Sequence, residues 1–168
     1  MTNRIERGGE PLRTEPRYRV DHLGLAVPDL DEAVGFFAAH LDAEVVFRLD
    51  RFIDESGEAP ARLGADPSAS FALAMLRIGD AEIELLQWWP ALDGADDGTN
   101  APNRVGAAHL ALSVADVAEA YERLCAVPGV RRLGSPVTFS GDPTDGLTNA
   151  FVATPWGLLI ELMGWPRG

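Results

Sequence analysis

Apolar and polar positions along this chain fall into two blocks of the same design. From Tyr18 to Val27 they alternate with period two, as a half-buried strand does. Alternation puts Asp21, Leu23, Leu25 and Val27 on one face and Val20, His22, Gly24 and Ala26 on the other. The bulky face asks for a helix over it, while small residues around His22 leave room beside the imidazole. Asp29 with Glu32 reads as a capping box. Leu30, Val34, Phe37 and Leu41 then recur at helical spacing, which predicts a helix ending near Asp42 with these four as its buried stripe. Strands are predicted over Glu44–Leu49, Phe71–Ile78 and Ala81–Trp88, with Gly79-Asp80 as the hairpin turn. Residues 50–68 break the pattern and predict a long loop with a helical turn, a candidate lid.

Periodicity disappears again over residues 90–104, rich in Asp, Gly, Pro and Asn, which reads as a linker. The second block opens at Val105 with a strand to Val114. A helix follows from Asp116 to about Val127, burying Tyr121, Leu124 and Cys125. Strands are expected near Val130–Leu133, Val137–Phe139, Asn149–Ala153 and Gly157–Met163, the first two either separate or joined. The reading is therefore a loose tail over 1–17, a βαβββ module over 18–89, the linker 90–104, and a second βαβββ module over 105–165.

The blocks share more than periodicity. Val20-Asp21-His22-Leu23-Gly24-Leu25-Ala26-Val27 is answered by Ala107-Ala108-His109-Leu110-Ala111-Leu112-Ser113-Val114. In both, an Asp follows the His by seven positions and a Glu follows that Asp by three. The closing strands match too: Ile83-Glu84-Leu85-Leu86 and Ile160-Glu161-Leu162-Met163. An ionised Glu within a sheet is costly unless it is exposed, paired with a cation or bound to a metal. Singly, each His reads as packing and each Glu as a salt-bridge partner. Repeated together, His22, Glu84, His109 and Glu161 supply two imidazoles and two carboxylates, a set that one divalent cation makes formally neutral. Nitrogen and oxygen donors suit Zn, Ni, Co, Mn or Fe. His40, at the end of the first helix, has no counterpart and reads as a packing residue in a favourable helix-dipole position.

Composition narrows the partners. A net charge of −12 argues against nucleic acid and anionic membrane surfaces. The single cysteine, Cys125, forms no intrachain disulfide and suits a reducing cytoplasm, the expected location. No apolar run reaches spanning length, and residues 1–19 lack the apolar centre of a secretory signal. A small-molecule substrate is the partner that remains.

The His and Glu phrases resemble the vicinal oxygen chelate superfamily, the group of glyoxalase I, methylmalonyl-CoA epimerase, extradiol dioxygenases and bleomycin-resistance proteins. The resemblance runs from Tyr18 to Trp165. His22-Leu-Gly-Leu-Ala-Val-Pro-Asp-Leu looks like the opening strand and helix of that family, and the order His, Glu, His, Glu is similar to that of glyoxalase I. It implies an α+β fold of two paired βαβββ modules that form a curved, barrel-like mixed sheet with helices outside. It also implies one bound divalent metal and a homodimer. The implied activity is that of a metal-dependent isomerase, epimerase or lyase, moving a proton at a carbon beside a carbonyl through a stabilised enolate. Glu161 is the implied base and Glu84 its partner on the opposite face, although a symmetric site could use either.

Within the family, Phe71-Ala-Leu-Ala-Met-Leu-Arg77 lacks the extra Glu expected of methylmalonyl-CoA epimerases. The long loop before Phe71 and Pro155-Trp156-Gly157 before the last strand look closer to glyoxalase-like proteins and cyclitol-ketone epimerases. Two other readings stay open. An Fe(II) extradiol-type dioxygenase would use His22, His109 and Glu161 as a facial triad and leave Glu84 as an extra carboxylate. A non-catalytic binding or resistance protein would keep the pocket without the chemistry. Candidate pocket walls are Phe52, Met75, Trp88, Phe139 and Trp156, with Trp89 beside them. Arg77 and Arg104 are candidates to meet a substrate carboxylate, and Asp54, Glu55 and Glu58 read as solvated.

Overall fold

Each repeat folds as a four-stranded mixed sheet with its principal helix packed on one face, in an α+β architecture. The computed structural model describes residues 18–91, 102–103 and 105–166. The chain divides into two compact units at residues 93/94. The first holds β1 (Leu23–Ala26), α1 (Leu30–His40), β2 (Glu44–Phe52), α2 (Glu58–Arg62), β3 (Ser70–Ile78) and β4 (Ala81–Trp89). Its strands lie in the order β1-β4-β3-β2, with β1 parallel to β4 and the other neighbours antiparallel. The second holds β5 (His109–Ser113), α3 (Val117–Cys125), β6 (Arg131–Thr138), β7 (Thr148–Ala153) and β8 (Leu159–Gly164). Its order, β5-β8-β7-β6, repeats the same topology. The expected βαβββ pattern is thus present twice, with the short α2 added to the loop of the first unit.

The helices start where their caps dictate. The carboxylates of Asp29 and Asp116 each accept from the backbone N–H of the residue three further on, Glu32 and Glu119, at 2.9 Å in both units. These bonds satisfy donors that the first turn leaves open. The α1 stripe differs from the predicted one: Leu30, Ala33, Phe36 and Phe37 are buried, followed by Leu41, while Val34 is only half-buried. A small Ala lets the helix sit close to the sheet, and the adjacent phenylalanines then straddle the contact. In α3 the buried residues are Val117, Ala120, Tyr121 and Leu124; Cys125 is half-buried.

Beneath these helices lie Leu76, Ile83 and Leu85 in one unit and Val152, Ile160 and Leu162 in the other, all essentially inaccessible. Each such side chain contributes about 1.5–3 kcal/mol by leaving water. Both candidate glutamates lie between two of these residues in sequence. Strand alternation therefore turns Glu84 and Glu161 to the sheet face away from the helix.

Several boundaries move from those expected. Strands β1 and β5 begin at Leu23 and His109, not at Tyr18 and Val105, because pairing to β4 and β8 starts only there. Strand β2 runs on to Phe52, shortening the loop. The predicted pieces at 130–133 and 137–139 are one strand, β6, whose register against β7 shifts between Leu133 and Val137. Gly134 takes φ +85° in that irregularity, a conformation a side chain would disfavour. Its carbonyl accepts the buried Tyr121 hydroxyl of α3. Among the described residues no helix is long and apolar enough to cross a membrane. The predicted tail over 1–17, most of the linker and Arg104 lie outside the described residues.

Candidate functional site

Each unit brings one of the predicted histidines to one of the predicted glutamates. In the first, parallel pairing sets Gly24 of β1 opposite Glu84 of β4, and His22 precedes it on the same side by two residues. The imidazole Nε2 of His22 lies 3.6 Å from Oε2 of Glu84. In the second, Ala111 of β5 pairs with Glu161 of β8, and His109 stands two residues before it. Nε2 of His109 lies 3.2 Å from Oε2 of Glu161. The repeat in the sequence is a repeat in geometry.

Both separations exceed the roughly 2.7–2.9 Å that a charge-assisted N–H···O⁻ bond adopts. Two ligands bound to one ion at about 2.0–2.2 Å, roughly at right angles to tetrahedral spacing, would sit about 3.0–3.5 Å apart. The His109–Glu161 pair falls within that range and the His22–Glu84 pair just above it, and the donor set of imidazole and carboxylate suits a divalent transition ion. Among the described residues no group of three or more His, Cys, Asp or Glu side chains is gathered in metal-binding geometry. Each unit holds one His–Glu pair.

The surroundings of the pairs are mostly small or apolar. A Cβ built on Gly24 would stand 3.7 Å from Oε2 of Glu84, in ordinary contact, so the glycine leaves the carboxylate uncrowded. Met75 of β3 lies directly opposite Glu84, and Phe151 of β7 directly opposite Glu161. The Phe151 ring also meets His109 edge-on at 6.4 Å.

Predicted wall residues Phe52 and Trp88 are joined through Phe71, with ring centroids 5.6 and 5.0 Å apart. Trp88 and Glu84 are four residues apart on β4 and so share a face. Phe139 continues the ladder beyond β6 through its backbone bonds with Gly146 and Leu147. Trp156 sits in the turn between β7 and β8, half-buried. Arg77 is held by Glu82 at 2.6 Å, so the cation expected to meet a substrate carboxylate already has an acid partner. His40 packs edge-on to Phe36, centroids 5.2 Å apart, as the bland reading of that residue expects.

Asp54 does more than face solvent. Its carboxylate accepts from Ser56 Oγ, Ser56 N and Ala59 N, which ties the loop to the start of α2. These bonds hold its pKa below the ordinary aspartate value, with the Ser56 hydroxyl the largest cause. A cavity of about 330 Å³ opens beside the start of α3, lined by Asp116, Thr148, Gly164 and Trp165 among others; neither His109 nor Glu161 lines it.

Two polar residues at the pairs escaped the sequence reading. Asp21 Oδ1 lies 2.8 Å from His22 Nδ1, which fixes the imidazole with Nε2 toward Glu84. This bond is the main reason the His22 pKa is raised, helped by the Glu84 charge and opposed by desolvation. Asn149 Nδ2 donates to Glu161 Oε1 at 2.9 Å. Asp21 was legible only as the neighbour of His22, and Asn149 only as a residue two before Phe151, on the face of β7 that Glu161 meets.

The chain that folds as repeated βαβββ units matches a known family. The glyoxalase/bleomycin resistance protein/dioxygenase superfamily model matches residues 19–162, and the chain belongs to that superfamily. It is 39% identical over 153 residues to a 2-epi-5-epi-valiolone epimerase from an Actinomyces species, covering 89% of this chain and 80% of the relative. Among solved structures, a glyoxalase family protein from Bacillus cereus superposes with a TM-score of 0.72 at 23% identity, covering 92% of this chain and 98% of its own. The fosfomycin resistance protein FosX from Listeria monocytogenes, solved with Mn(II) and sulfate, shares the fold with a TM-score of 0.54 at 17% identity, covering 88% and 93%.

Proposed function

We propose that this chain is a metal-dependent epimerase acting on a small polyhydroxylated ketone of the 2-epi-5-epi-valiolone type. The observation that carries the reading is the matched pair of His–Glu contacts, one per unit, at spacings suited to a shared ion. The identity to an epimerase over most of the chain supports the reaction class. His22, Glu84, His109 and Glu161 are the proposed ligands of one divalent cation, Zn, Ni, Co, Mn or Fe. A complete set needs one pair of each kind. When bound, the cation supplies positive charge beside the substrate carbonyl and eases loss of the neighbouring proton.

The residues do the rest. Glu161 takes the proton from the carbon beside the carbonyl; the C–H electron pair becomes the C=C bond and the carbonyl π pair moves onto oxygen, giving the enolate. Inversion requires a proton to be delivered on the other face; Glu84, in its protonated form, is the second carboxyl group available to give it, and proton exchange with solvent then returns Glu161 to the carboxylate and Glu84 to the acid. The face of β4 that carries Glu84 also carries the aromatic ladder of Phe52, Phe71 and Trp88, an apolar wall for a ring-shaped substrate. A homodimer is the proposed assembly.

The test is incubation with a 2-epi-5-epi-valiolone-type ketone in deuterated water, with metal content measured on protein purified without added metal. Epimerisation with deuterium entering beside the carbonyl, lost in Glu161→Gln, is the expected result. Ketone recovered unexchanged from metal-loaded protein would overturn the reading. Oxygen uptake with a catechol would replace it with the ring-cleaving alternative.

A further inference from the structure

The two carboxylates of the proposed site are not equivalent, although the repeat makes them look so. Both oxygens of Glu161 have separate partners: Oε1 accepts from Asn149 Nδ2 at 2.9 Å, and Oε2 faces His109 Nε2 at 3.2 Å. Asn149 pairs in register with Met163, two residues beyond Glu161 on β8, so its amide reaches the carboxylate diagonally across the strands. The matching position in the first unit is Leu73, which pairs with Leu86, two residues beyond Glu84. A leucine there donates nothing. Among the described residues the polar neighbour of Glu84 is His22, at 3.6 Å, and its carboxylate receives no hydrogen bond. The Glu161 side chain is also the less exposed, 13% against 21%.

We propose that Asn149 is a positioning residue, which holds Oε1 of Glu161 so that this glutamate meets cation and substrate through Oε2 alone. Glu161 is thereby fixed in rotation, and chelation through both oxygens would cost it the amide bond. Glu84, with a leucine in the matching place, is free to turn and to bind through one oxygen or two. The first unit spends its outer hydrogen bond on the other ligand: Asp21 fixes His22, whereas Ala108 stands before His109. The proposal rests on the metal-site reading given above.

The probe is Co(II), titrated into metal-free wild-type protein, Asn149→Leu and Asn149→Gln, and followed by its visible absorption. Outer-shell partners of metal ligands typically govern affinity by 10–100-fold. Asn149→Leu, which copies the first unit, is therefore expected to bind Co(II) about tenfold more weakly. Its band intensity should change as the released carboxylate alters the coordination number. Asn149→Gln keeps an amide donor and falls between the two. In turnover, Asn149→Leu lowers kcat more than it raises KM. Thermal unfolding of the metal-free variants separates this from misfolding: the melting temperature stays near wild type. A leucine variant with wild-type Co(II) affinity and an unchanged spectrum overturns the role of Asn149 alone. Wild-type protein that takes up no Co(II) overturns the metal reading and this role together.

Discussion

The two units share topology, capping and the His–Glu contact, yet each supports its contact differently. In the first, the imidazole is braced, by Asp21, and the glutamate is left among apolar residues and a glycine. In the second, the glutamate is braced, by Asn149, and the imidazole rests edge-on against Phe151. The aromatic ladder of Phe52, Phe71 and Trp88 belongs to the first unit; at the place of Phe71 the second carries Leu147, two residues before Asn149. Duplication fixed the parts that make the fold and the contact. Divergence then worked on residues one step outward, where a change alters how the paired His or Glu is held without disturbing the sheet.

The sharpest way to break this comparison is to neutralise each carboxylate in turn. Glu161→Gln and Glu84→Gln are each expected to lower turnover by about 10²–10⁴-fold, the usual contribution of a positioned acid or base. Steady-state rates and deuterium entry would show it. A variant that retains wild-type turnover removes that glutamate from the proton path. Next come the cores. Ile83 and Ile160 precede the two glutamates and are 2% and 0% exposed. Truncation of either to Ala should cost about 2–5 kcal/mol in denaturant unfolding. Clearly unequal losses would show that the units differ in packing as well as chemistry.

Caps give a smaller, matched pair. Asp29→Ala and Asp116→Ala should each cost about 1 kcal/mol, because each removes one bond from a side chain to the backbone of the first turn. The smallest effect is electrostatic. Asp21→Asn should bring the raised pKa of His22 back toward its ordinary value, read by NMR of the metal-free protein. A group whose folded pKa is raised adds stability that is fully present below its unfolded pKa and is lost as pH rises through the folded value. The variant should therefore lose stability on the acid side and little in alkali. The contribution is modest, since His22 is partly exposed and Asp21 almost fully so.

Much of this was readable from residue order. The twin phrases around His22 and His109, and the Ile-Glu pairs at 83–84 and 160–161, define the modules, the strands that carry the paired His and Glu, and the way each glutamate turns. Asp29 and Asp116 mark the helix starts because a cap is a local interaction. What escaped was set by contacts across strands. The bond from Asn149 to Glu161 depends on the β7–β8 register, which residue order alone does not fix. The α1 stripe takes in Ala33 and Phe36 and leaves Val34 half-buried because the face that meets the sheet is set by tertiary packing, which periodicity alone does not fix. Strand β6 read as two pieces because Gly134 interrupts an otherwise extended run.

The two adjacent tryptophans at the end of β4 have a practical consequence. Neighbours on a strand turn to opposite faces, so Trp88 packs at a tilt against Phe71 on the Glu84 face, while Trp89 lies under the Arg51 guanidinium, 4.6 Å from its ring centre. Trp88 stands four residues from Glu84, about 13 Å along the strand. A coloured ion such as Co(II) held by Glu84 would dim its fluorescence by energy transfer, and a ketone seated on the ladder would shift its emission. Trp88 would then report occupancy optically, and a Trp88→Phe variant would remove its share of the signal, leaving that of Trp89, Trp156 and Trp165.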